Sequence, residues 1–119
     1  MNRINILGTE YVLNINTTDY LRANNADGVH LEYDKEINLR CIDGMLSADS
    51  TERAKLERQK EVLRHEIIHA FFSESGLDGY NLDEQLVDWI AKQFPKIKRC
   101  FEEAEQALKG RESNEVDIE

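Results

Sequence analysis

The apolar residues of this chain change their repeat once, and that switch decides which architectures are open to it. Up to Cys41 they recur at every second position, and from Ser47 onward they recur at helical spacing. Strands therefore come first and helices after, which predicts an α+β fold with helices on one face of a small, mostly antiparallel sheet. Ile4, Ile6, Tyr11, Leu13 and Ile15 predict one strand that can break near Gly8. The polar stretch Asn16 to Gly28 predicts a loop. Val29, Leu31 and Tyr33, then Ile37, Leu39 and Cys41, predict a β-hairpin.

The helical half opens near Asp49 or Ser50, whose side chains can cap free amide groups, and Leu56, Leu63, Ile67 and Phe71 carry its apolar repeat. Ser75-Gly76-Leu77 ends it, with Gly as the left-handed residue and Leu77 as the apolar contact that follows. A loop, Asp78-Gly79-Tyr80, leads to a second helix from about Asn81 to Phe94, which Pro95 stops or kinks. A third helix, Lys96 to Lys109, is closed by Gly110. Residues 1–110 read as a single domain, and Arg111 to Glu119 as an acidic, disordered tail.

Charge and composition narrow the partners. The 15 Lys and Arg against 24 Asp and Glu give a net charge of −9, which repels phosphate backbones and anionic lipid, so neither nucleic acid nor a membrane surface is an expected partner. Polar residues interrupt the first twenty positions where a signal peptide needs an apolar core, and a cytoplasmic protein is expected. Cys41 and Cys100 lack a C-x-x-C neighbour and read as two free thiols.

The chemistry is concentrated in His65-Glu66-Ile67-Ile68-His69, an H-E-x-x-H arrangement in the middle of the first long helix. Residues four apart lie one turn above each other, so both imidazoles can close on a single zinc ion. Glu66 is rotated off that line and can take a proton from coordinated water. Zinc needs a third protein ligand. A metzincin is excluded, because Ser75 stands where its third His would be and Phe72 replaces its Gly. The second helix offers Glu84 and Asp88 on the border of its apolar stripe. Glu84 as third ligand and Asp88 as acceptor for a ligand histidine's other nitrogen would explain two like charges at that spacing. Glu84 also fits the third position of a capping box led by Asn81, and Asp78 and Asp83 are further candidates for ligation.

H-E-x-x-H followed on the next helix by Glu84-Gln85-Leu86-Val87-Asp88 resembles the gluzincin metallopeptidases. The short interval between the motifs looks like the minimal zincin core of the ImmA/IrrE-type peptidases of bacteria, phages and mobile elements. The resemblance covers Val62 to Pro95. It implies a zincin-like fold, with zinc held by His65, His69 and Glu84, Glu66 as catalytic base and Asp88 orienting a histidine. A protein or peptide would then be the substrate, with Tyr80 or His30 available to stabilise the developing oxyanion. A substrate in extended form can add a strand to the sheet edge beside the active helix. The rival expectation is a non-catalytic zinc-binding protein whose acidic surface recognises a basic protein partner.

Overall fold

The computed structural model of the protein describes residues 2–113, with side chains for 2–110. Strands β1 (Asn2–Ile6) and β2 (Thr9–Ile15) form an antiparallel hairpin in which Ile6 lies opposite Thr9. The expected break near Gly8 is thus a full reversal. Leu7 and Gly8 both take positive φ, 52° and 91°, the backbone that suits a tight hairpin between right-twisted strands.

Strands β3 (Gly28–Leu31) and β4 (Glu36–Leu39) make the second antiparallel pair, as the alternation predicted. The sheet order is β1-β2-β4-β3, and β4 runs parallel to β2 with Leu13 opposite Ile37, so the sheet is mixed. A parallel neighbour requires a crossover. The supposed loop supplies part of it: α1 (Asp19–Ala23) is capped by Thr18, whose hydroxyl accepts the Leu21 N–H, and it buries Leu21 completely. Arg40 fastens this connection by donating to the carbonyls of Leu21 and Ala26.

Helix α2 (Glu52–Glu74) begins one to two residues later than expected, with Thr51 rather than Asp49 or Ser50 as its cap, accepting from the Ala54 N–H. It ends as the sequence predicted. Gly76 has φ 73°, its N–H donates to Ser73 O, and Leu77 N–H donates to Phe72 O, the pair of hydrogen bonds that closes a helix C-terminus. The line of α2 that faces the sheet is Val62, Glu66 and Ala70, with Leu63 and Ile67 flanking it. Leu56 and Phe71, from the expected stripe, stay 40% and 41% exposed. The core joins this line to Ile6, Tyr11, Ile37 and Leu39.

The expected loop at Asp78–Tyr80 is a single helical turn, α3 (Asp78–Asn81). The two further helices expected after it are one helix, α4 (Glu84–Ser113), with Pro95 inside it. Proline removes the N–H that the Ala91 carbonyl would accept. Arg64 of α2 replaces it, its Nε lying 2.6 Å from Ala91 O, so the helix continues and is tied to α2 at the same point. Residues 111–113 extend α4, and the rest of the expected tail, 114–119, lies outside the described residues. No helix among the described residues is long and apolar enough to cross a membrane.

Candidate metal site

One helical turn separates His65 from His69, and both rings leave α2 on the line next to the sheet-facing one. Their side chains are 20% and 12% exposed. The turn α3 then brings the start of α4 back across them. Asp83, not Asn81, caps α4, its Oδ1 accepting the Leu86 N–H at 3.0 Å. That placement removes the capping-box role considered for Glu84, which becomes the first residue of the helix and faces the two imidazoles.

Three side chains converge. Glu84 Oε1 lies 3.1 Å from His65 Nε2, Glu84 Oε2 lies 3.0 Å from His69 Nε2, and the two Nε2 atoms are 3.2 Å apart. The outer nitrogens are also spoken for: His65 Nδ1 is 3.0 Å from Asp88 Oδ1, and His69 Nδ1 is 2.7 Å from Asn81 Oδ1. Both partners offer an oxygen acceptor, so a ring in its neutral form would carry its proton on Nδ1 and turn an Nε2 lone pair inward. Two lone pairs and a carboxylate then face one another.

A cation resolves this directly. Donors at 2.0–2.1 Å around a tetrahedral ion are roughly 3.3 Å apart, close to the spacings seen here. His65, His69 and Glu84 could therefore hold a metal ion. Asp88 was expected to accept from one of the ligand histidines, and it lies beside His65. Asn81 does the same for the second, a role the sequence did not reveal because Asn81 reads equally well as a helix cap. Asp78 and Asp83 stand at helix starts, and neither belongs to the converging group.

Glu66 is buried, and burial pushes its carboxyl above the ordinary glutamate value, partly opposed by His65 and His69. It lines two adjoining clefts together with Gly28 and His65. The larger, about 450 Å³, runs along the edge strand β3 at Gly28, Val29 and His30 and reaches His69, Asn81 and Glu84. The smaller, about 140 Å³, passes Asp27, Arg58, Glu61 and Asp88.

His30 and Tyr80 are placed differently. His30 lines the larger cleft, stacks on Tyr11 with centroids 5.7 Å apart, and lies 3.2 Å from Tyr11 Oη. Tyr11 Oη donates to Glu74 at 2.7 Å, so in this chain of bonds His30 is the donor to Tyr11 through Nε2–H. Burial lowers the His30 pKa. Tyr80 packs against Phe72 with centroids 6.0 Å apart and is not among the residues lining either cleft. Comparison with protein-family models, with curated proteins and with solved structures gave no match.

Proposed function

We propose that this chain is a zinc-dependent metallopeptidase, with His65, His69 and Glu84 as ligands and Glu66 as general base. The observation that carries the reading is the convergence of two imidazole Nε2 atoms and one carboxylate beside a buried glutamate. Two imidazoles and one carboxylate are a donor set that suits zinc and leaves a coordination position open, as catalytic sites do. Zinc in such a site lowers the pKa of a bound water to roughly 7 and polarises a carbonyl.

The chain's own residues account for the rest. Glu66 accepts a proton from the attacking water and returns it to the leaving amine; its buried setting raises its proton affinity toward that task. Asp88 and Asn81 hold the two ligand rings in one tautomer and orientation. The edge strand β3 borders the cleft, so an extended peptide can pair with it and lie across the site. His30, on that same strand, is the residue better placed than Tyr80 to face the substrate carbonyl. With Nε2–H given to Tyr11, it offers a second N–H only when its ring is protonated.

The net charge of −9 favours a second reading, a zinc-binding module that recognises a basic protein. Glu66→Gln separates the two. Zinc-loaded wild type and variant are compared on a library of unstructured peptides by mass spectrometry. The expected result is equal zinc content and a loss of cleavage of about 10²–10⁴-fold in the variant. Cleavage that survives the substitution removes Glu66 from the mechanism. No cleavage by zinc-loaded wild type leaves the binding reading in its place.

A further inference from the structure

We infer that the distal half of α4 is a self-association surface, on which a second copy of the chain packs antiparallel. This inference is independent of the peptidase reading. From Lys96 to Gly110 every residue but Glu105 is exposed. Yet the sequence there is not that of a solvated helix. Ile90, Phe94, Ile97, Phe101, Ala104 and Leu108 are spaced four, three, four, three and four apart, an unbroken coiled-coil seam. The first two positions line an apolar cleft against Ile67, Ile68 and Phe71 of α2. The seam then continues past the body of the protein, with Ile97 50%, Phe101 59% and Leu108 57% exposed. A helix whose apolar residues face water is marginal, and covering the seam would add to the stability of this stretch.

Charge names the occupant and its direction. Lys96, Lys98 and Arg99 form a basic block, and Glu102, Glu103 and Glu105 form an acidic block immediately after it. A parallel partner would set basic block on basic block. An antiparallel copy sets each block on its opposite and closes as a two-fold dimer. Pairing Phe101 with Ala104, and Ile97 with Leu108, of the other copy uses only the projecting part of the helix. It also brings Lys98 and Glu105, which flank the seam at equivalent heptad positions, together across the interface twice. Lys98 Nζ now lies 2.7 Å from Glu102 of its own helix, so its side chain is already drawn toward that acidic block.

The test is sedimentation of the full chain across the micromolar range, with the near-ultraviolet circular dichroism of each variant as a control for an intact body. Wild type is expected to be a dimer at tens of micromolar, and Phe101→Asp a monomer. Lys98→Glu and Glu105→Lys singly are each expected to weaken association about tenfold, because each creates two like-charge contacts. The double exchange, Lys98→Glu with Glu105→Lys, restores it. A wild type that remains monomeric, or a double exchange no tighter than the single variants, overturns the proposal.

Discussion

Gly28 marks the closest approach of the sheet to the helix that bears the motif, and Gly28→Ala measures how tightly that approach is set. A Cβ at position 28 would stand 2.7 Å from Val62 Cγ1, 3.1 Å from Leu39 Cδ2 and 3.2 Å from Glu66 Cγ. Ordinary carbon contacts are about 3.5–4.0 Å, so the shortfall against Val62 is about 1 Å. Val62 is buried and β-branched, with one strongly preferred rotamer in a helix, so it cannot swing aside and α2 must move. Overpacking of this kind costs about 1–3 kcal/mol. Against it stands about 0.4–1 kcal/mol gained because Ala restricts the unfolded chain.

At the middle of these ranges the net loss is about 1.3 kcal/mol, or roughly 5 °C in Tm for a chain of this size. Calorimetry with a chelator present measures it without a contribution from bound metal. The decisive comparison places Gly28→Ala in a Val62→Ala background. Removing Cγ1 removes the worst contact, so the same substitution should become neutral or stabilising, a coupling of about 1 kcal/mol or more. Gly28→Ala as stable as wild type, or an equal loss in both backgrounds, would refute the argument.

Two further outcomes follow from the site and its surroundings. Asn81→Ala and Asp88→Ala should each weaken metal binding about 10–100-fold, and Glu84→Ala by more than either, measured by competition with a chelator; equal retention in all three would remove Glu84 from the ligands. Glu74 accepts from Lys35, Tyr11 and Thr9, and these bonds hold its carboxyl down to about 2. Its stabilising contribution is thus fully present above the unfolded value of about 4.3 and is lost as pH falls through about 2. The urea midpoint of wild type should exceed that of Glu74→Gln most clearly above pH 5, with the gap narrowing toward pH 2; a constant gap would show that Glu74 acts through shape alone.

The parts of this fold that local chemistry determines were legible, and those set by distant partners were not. The end of α2 was readable because Gly76 and Leu77 carry their own geometry. Its start was ambiguous because Asp49, Ser50 and Thr51 are all competent caps, and only the backbone decides among them. Helix α1 is too short to show a period, and its one buried residue, Leu21, reads as an isolated apolar side chain. Pairing of β2 with β4 depends on a crossover that no alternation records. The continuity of α4 through Pro95 depends on Arg64, which lies on another helix. The H-E-x-x-H spacing announced two histidines on one face, but the acceptor for the second, Asn81, sits on a turn whose existence the sequence concealed.

The converging side chains come from two helices that the chain connects only through a single turn. An ion bound there would act as a clasp, since an unfolded chain scatters the same donors. Its binding free energy would therefore add to the packing that keeps α4 shut against α2, and the stability of that joint would rise with loading. Depleting the ion would then loosen the joint between the helices before it disturbed the sheet, whose own core of Ile6, Tyr11, Ile37 and Leu39 needs no such fastening.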